Sequence, residues 1–245
     1  MSDKVADKTP TPDAPIAADA PIPRRSFLLG AGTAVAAGLA PANAQTPPAV
    51  AAAEPEPLLT LTPTEHAFMV AAADTLIPAD ALSPSGSDCG VAVFIDRQLA
   101  GAYGGGARLY RDGPFPKGKP ELGYQLALNP REFFRAGIAA ANDWTRKTYG
   151  KDFDRLAPAE RETALKTMDA GKAEFNEING KQFFEMLYAS AMEGFFADPI
   201  YGGNRDKVSW RMVGYPGLPA TYASKALEYR GKKIVLEPQS IADFS

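Results

Sequence analysis

One stretch restricts the fold of this chain more than any other. Asn129-Pro130 opens it, Gly150 closes it, and Phe134, Ile138 and Ala141 form a single stripe between them, flanked by Phe133 and Trp144. Asparagine caps the free amides of a first helical turn, proline suits the first helical position, and glycine ends a helix readily. A long amphipathic helix over Pro130–Tyr149 follows, and its aromatic stripe is core material rather than a cofactor box. A chain that must bury such a stripe needs other helices or a sheet to bury it against.

The remaining punctuation supplies helices. The folded part starts near Leu59. Thr62-Pro63-Thr64-Glu65 is a capping box with proline at the first helical position. Phe68, Ala71, Ala72 and Leu76 share one face of the helix it opens, which stops at Pro78. A shorter helix over about Val91–Leu99 presents Val91, Phe94, Ile95 and Leu99. Another runs from about Pro158 to Gly171, with Leu165 and Met168 inward. A further one, about Lys181–Ala197, carries Phe184, Leu187, Tyr188, Ala191 and Phe195. Ala220–Tyr229 reads as one short helix. Ile234-Val235-Leu236 fits a terminal strand or a docked tail. Residues 79–89 and 100–129 are loops. Gly104-Gly105-Gly106 lacks the Gly-Lys-Ser/Thr ending of a phosphate loop. The expectation is a mainly α fold: a compact helical domain with long ordered loops.

The N-terminal part differs in kind. Residues 1–23 are polar and rich in proline. Arg24-Arg25-Ser26-Phe27-Leu28-Leu29 and a short uncharged stretch follow, then Ala42-Asn43-Ala44. A positive start, a short apolar core and an A-x-A site, in that order, form an export signal. The apolar core is too short to cross a bilayer, which takes roughly 20 residues. The arginine pair, with Phe27 and Leu28, matches the twin-arginine signal that exports folded proteins; Ala42 and Ala44 mark its cleavage site. An uncleaved anchor is the alternative. Gly30-Ala31-Gly32 begins like a dinucleotide fingerprint but has no strand before it, so no cofactor is assigned there. The expected divisions are a signal peptide over 1–44, a disordered Pro/Ala linker over 45–58 and a helical domain over 59–245. The expected location is the periplasm.

Composition closes several routes. With 26 basic and 29 acidic residues there is no concentrated basic field, so nucleic acid is not expected as a partner. A single cysteine, Cys89, and a single histidine, His66, exclude a CxxC zinc site, a covalent c-type haem and a multi-histidine metal centre. Cys89 reads as a small buried thiol and His66 as a surface residue. A Ser/His/Asp set would need His66, and no G-x-S-x-G elbow exists. Paired carboxylates such as Glu193 with Asp198 or Asp206 are conceivable, but acidic residues beside arginines more often form ion pairs. No catalytic, cofactor-binding or metal-binding residues are assigned.

The most unusual run is Glu193–Gly217, E-G-F-F-A-D-P-I-Y-G-G-N-R-D-K-V-S-W-R-M-V-G-Y-P-G. Its aromatics argue against disorder. Long irregular segments in small domains are usually functional. Asp198, Arg205, Asp206 and Arg211 are expected to tie it down internally.

Four stretches together resemble one family. They are Asp74-Thr75-Leu76-Ile77-Pro78-Ala79-Asp80, Gly90–Gly101, Gly123-Tyr124-Gln125-Leu126 and Glu193–Gly217. In this order they resemble subunit 3 of gluconate 2-dehydrogenase, the small subunit of membrane-bound flavin-dependent sugar and sugar-acid dehydrogenases. The resemblance implies a heterotrimer: a large FAD-containing dehydrogenase subunit, a multihaem cytochrome c subunit, and this chain with neither cofactor. It further implies that the chain carries the folded flavoprotein through the twin-arginine translocase, leaving the complex on the periplasmic side of the inner membrane. On residue type, Tyr201, Arg205, Trp210, Arg211 and Tyr215 are candidates for the partner interface. The other reading is a stand-alone periplasmic enzyme or binding protein using the Glu193–Gly217 loop.

Overall fold

The fold is built around a helix whose sequence is apolar on most sides. The computed structural model describes residues 56–107, 109–110, 112–116, 118–119, 122–219, 221 and 223–244. Among them are seven α-helices: α1 Pro63–Leu76, α2 Val91–Ala100, α3 Pro130–Tyr149, α4 Pro158–Asp169, α5 Gly180–Phe196, α6 Val208–Val213 and α7 Ala226–Tyr229. Helix α5 packs against α2, α3, α4 and α6 as well as α1. It buries Phe183, Leu187, Ala191 and Phe195. The twin-arginine residues, the cleavage site and most of the linker lie outside the described residues. No helix among the described residues is long and apolar enough to cross a membrane.

The helix ends follow the sequence closely. Thr62 and Glu65 form the reciprocal capping box of α1, and Asn129 and Glu132 form that of α3. At α4 alanine occupies the cap, so half of the box remains: the Glu160 carboxylate accepts from the Ala157 N–H at 2.9 Å. Gly150 ends α3 in the left-handed conformation at φ 76°, where a side chain would be strained.

The core is aromatic. Phe68, Phe133, Phe134, Phe153 and Phe183 are fully enclosed. The Phe68 ring lies 4.7 Å from Phe153 and 6.0 Å from Phe183, and Phe134 meets Phe183 edge-on at 6.2 Å. Gly137 of α3 is what lets α5 come this close. A Cβ there would sit 2.1 Å from Cδ2 of Phe183. The stripe on α3 thus has a gap shaped for one ring of α5.

A buried carboxylate fastens the N-terminal approach. Asp96 on α2 is almost wholly enclosed. Its oxygens accept from the N–H groups of Leu59, Thr60 and Leu61 at 2.6, 3.0 and 2.8 Å. A buried charge is tolerated when donors surround it. Residues 59–61 are thus moored to the helical body, reinforced by Arg135 donating to the Thr60 carbonyl.

The C-terminal segment differs from the helix expected there. Ala220–Tyr229 yields a 3₁₀ turn, Ala223–Lys225, and the single turn of α7. Its described residues are mostly exposed, Leu227 by 86%, and short helices depend on tertiary packing. Ile234–Leu236 forms no strand among the described residues. The tail docks instead, through an isolated bridge between Gly217 and Gln239 and through side-chain contacts of Pro238–Asp243 with the loop.

Candidate interaction site at the Glu193–Gly217 loop

The loop begins where α5 runs out of helix formers and meets Asp198-Pro199. Asp198 caps a 3₁₀ turn, Pro199–Tyr201, by accepting from the Ile200 N–H at 3.0 Å. The chain then passes very close to two other backbones. A Cβ on Gly203 would lie 2.1 Å from the Gly194 carbonyl oxygen, and one on Gly90 would lie 2.3 Å from that of Gly202. Glycines at these points allow the loop to lie directly on α5 and on the start of α2.

Next comes a strained segment. Asn204, Asp206 and Lys207 all take left-handed backbone angles, φ 45°, 58° and 57°. Each such non-glycine residue costs roughly 1–3 kcal/mol unless its surroundings hold it. Asn204 supplies much of that hold. Its side chain is fully buried. Oδ1 accepts from the Ser209 N–H at 3.0 Å and from Ser209 Oγ at 2.7 Å, and Nδ2 donates to the Ala197 carbonyl at 2.9 Å. Arg205 is fixed from the other side. Its N–H donates to the Cys89 carbonyl at 3.0 Å, its guanidinium to the Asp88 carbonyl at 3.0 Å, and it pairs with Glu56 at 3.6 Å.

The C-terminal tail closes the arrangement. Lys207 Nζ donates to both oxygens of Asp243, at 2.9 and 2.6 Å, and to the Pro238 carbonyl at 3.2 Å. Asp198 accepts from Ser240 Oγ at 2.6 Å and from the Ile241 N–H at 3.0 Å. Arg211 pairs with Glu237 at 2.7 Å. The Lys207 hydrogen bond, helped by the Ser240 N–H, holds the Asp243 carboxyl below the usual carboxylate range. A lowered pKa means the anchor is intact at neutral pH and is lost only as acid protonates Asp243, below the ordinary carboxylate range.

The expected internal ties of Asp198, Arg205, Asp206 and Arg211 are thus present, the Asp206 tie being its backbone carbonyl, which accepts from Arg211. Among the five candidate interface residues the structure makes a distinction. Trp210 is only 6% exposed. Its indole N–H donates to the Phe196 carbonyl at 2.9 Å, and its ring meets Tyr215 edge-on at 5.1 Å. Its large apolar ring completes the loop's own core, so it supports the surface from beneath. Tyr201 and Tyr215 are exposed, Arg211 largely so, and Arg205 partly so. Phe196, Ile200, Met212 and Val213 join the tyrosines, giving six large apolar side chains displayed by one loop.

Cys89 is buried, its thiol faces the Pro84 carbonyl at 3.7 Å, and burial, with the Asp88 charge second, pushes its pKa up to about 11. It is a thiol at neutral pH, not a nucleophile. His66 is half-buried on α1. Among the described residues no three His, Cys, Asp or Glu side chains are grouped to hold a metal ion.

Two of the four sequence stretches singled out above, Gly90–Gly101 and Glu193–Gly217, meet at this site, and a third, Asp74–Asp80, braces the approach to it. Asp74 accepts from the Ser87 N–H at 2.8 Å, which sets the turn into Gly90 and α2, and Gly90 touches the loop. The fourth lies at the far end of α5. There Tyr124 stacks on Phe133 at 4.1 Å, and Gln182 donates to the Gly123 carbonyl at 3.3 Å. Beside it is a cleft of about 550 Å³ against α5, lined by Tyr110, Phe115, Leu122, Leu126, Met186 and Glu185 among others. Nothing in the sequence marked this cleft or the roles of Asn204 and the tail. The one local signal was Asn204 directly after Gly202-Gly203, since asparagine tolerates left-handed backbone.

The family model described as gluconate 2-dehydrogenase subunit 3 matches residues 63–217, which is more than half of the chain. The matched region runs from the first helical residue of α1 to the last residue of the loop. Comparison with curated proteins and with solved structures finds no match.

Proposed function

The chain belongs to the gluconate 2-dehydrogenase subunit 3 family, and from this we propose that it is the non-catalytic small subunit of a flavin-dependent sugar or sugar-acid dehydrogenase. In this reading it binds the folded FAD-containing large subunit through the Glu193–Gly217 loop, stabilises it, and escorts it through the twin-arginine translocase. A multihaem cytochrome c subunit completes the complex on the periplasmic face of the inner membrane. FAD and haem belong to the partners.

The observation that carries the proposal is the contrast between how firmly the loop is held and what it displays. Strained backbone persists only where surroundings over-determine it. Here α2, α5 and the tail all brace one segment, and that segment exposes six large apolar side chains. Exposed apolar surface on a rigid frame is what a protein partner covers, and tyrosine and arginine are frequent anchors of such contacts. Glu56, the first described residue, also lies beside this surface, where it pairs with both Arg97 and Arg205.

The test is co-purification with the flavoprotein subunit. Tyr201→Ser with Tyr215→Ser is expected to lower its recovery at least tenfold, a loss of about 1.4 kcal/mol or more, while the melting temperature of the chain falls by only a few degrees, from the lost Tyr215 edge on Trp210. Unchanged recovery would remove the loop from the interface.

A further inference from the structure

Residues Leu218–Pro238 leave the loop and come back to it. At the base, the Leu218 N–H donates to the Gln239 carbonyl at 2.9 Å and the Gln239 N–H to the Pro216 carbonyl at 3.0 Å. Between these points the chain forms an arm. From Lys232 to Pro238 it has no helix, turn or bend. Among the described residues, the N–H groups of Lys233 to Glu237 donate no hydrogen bond. Exposure alternates along it: Ile234 38%, Val235 82%, Leu236 41%. This is strand periodicity, carried by strand-forming residues, without a neighbouring strand.

The order of side chains selects the neighbour. In Lys233-Ile234-Val235-Leu236-Glu237, an antiparallel pair centred on Val235 sets Lys233 opposite Glu237, whose carboxylate also holds Arg211 of its own copy, and Ile234 opposite Leu236. Opposite charges and apolar pairs directly across a ladder are favourable. Pro238 has no N–H and ends the ladder at one side. A segment that complements itself about a two-fold axis is the geometry of an isologous dimer. Insertion into lipid is the poorer alternative, because unpaired backbone groups cannot enter hydrocarbon without large cost.

We infer that residues 233–237 form an antiparallel strand pair with the same segment of a second copy of this chain, joining two small subunits through their arms. A two-stranded pair alone is marginal in water, so the association is weak in the isolated chain and is best read by covalent capture. Paired residues across an antiparallel ladder bring their Cβ atoms to about 4.5–5.5 Å, close enough for a disulfide or a short cross-linker with small adjustment. Cys89 is buried and stays out of the reaction.

The experiment uses the full chain. Val235→Cys is expected to give at least tenfold more cross-linked homodimer than Leu227→Cys, which is more exposed but lies outside the ladder. In a mixture, Lys233→Cys should link to Glu237→Cys and hardly to itself, because in this register two copies of residue 233 stand four residues apart. Equal yields from Val235→Cys and Leu227→Cys would overturn the inference. So would self-linking of Lys233→Cys as readily as its linking to Glu237→Cys, or capture of the flavoprotein subunit by Val235→Cys in place of a second copy.

Discussion

Asn204→Ala is expected to cost about 3 kcal/mol of folding stability, seen as a fall in melting temperature of roughly 6–12 °C. Three bonds depend on this side chain. Its removal leaves the Ser209 N–H, the Ser209 hydroxyl and the Ala197 carbonyl without it in a buried place, and buried polar groups without partners cost about 1–3 kcal/mol each before relaxation. Alanine also resists the left-handed angle that asparagine accepts. Asn204→Gly separates the two effects. Glycine keeps the backbone conformation and loses the bonds, so it should be about 1 kcal/mol less harmful than alanine. Equal damage from both would mean that backbone strain plays no part in holding the segment. The loop's display of Tyr201 and Tyr215 depends on this frame, so recovery of the flavoprotein subunit should fall with Asn204→Ala even though Asn204 itself faces no solvent.

Gly137→Ala is expected to be nearly as harmful, at about 2–3 kcal/mol, although it adds one methyl group. That methyl would occupy space already filled by the Phe183 ring, 2.1 Å away. The ring has little room to yield, because Phe68, Phe134 and Phe175 surround it. Overfilled cores typically lose about 1–3 kcal/mol. Phe183→Leu in the Gly137→Ala background should then cost less than the sum of the two single changes, by about 1 kcal/mol, as contacting residues couple. Thermal or denaturant unfolding of the four proteins measures this. Strict additivity would show that α3 and α5 do not meet at this pair.

The helical body was legible because its signals are local. Capping residues, prolines at first helical positions and apolar spacing lie within one turn of the structures they determine, and α3 runs over Pro130–Tyr149 as its spacing indicates. The loop was legible as ordered and unusual, again from its own composition. What it is held by was not legible. Asn204 bonds to residues five and seven positions away, while Lys207 and Asp198 are fixed by residues about forty positions away. Pairings across such distances leave no periodicity. Trp210 shows the same limit from the other side. Its residue type suits an interface, but burial decides whether a tryptophan faces a partner or its own chain, and burial is a property of the whole fold. The Ala220–Tyr229 segment carries helix-forming residues, yet its described part is mostly exposed and keeps one 3₁₀ turn and one α-turn.

The central claim is that this chain docks the flavoprotein and takes it across the membrane. Replacing Arg24 and Arg25 together by lysine in cells that express all subunits tests it most directly, with the flavoprotein followed in periplasmic and cytoplasmic fractions. The account predicts that the flavoprotein stays in the cytoplasm together with this chain. A flavoprotein that reached the periplasm while this chain remained behind would contradict it.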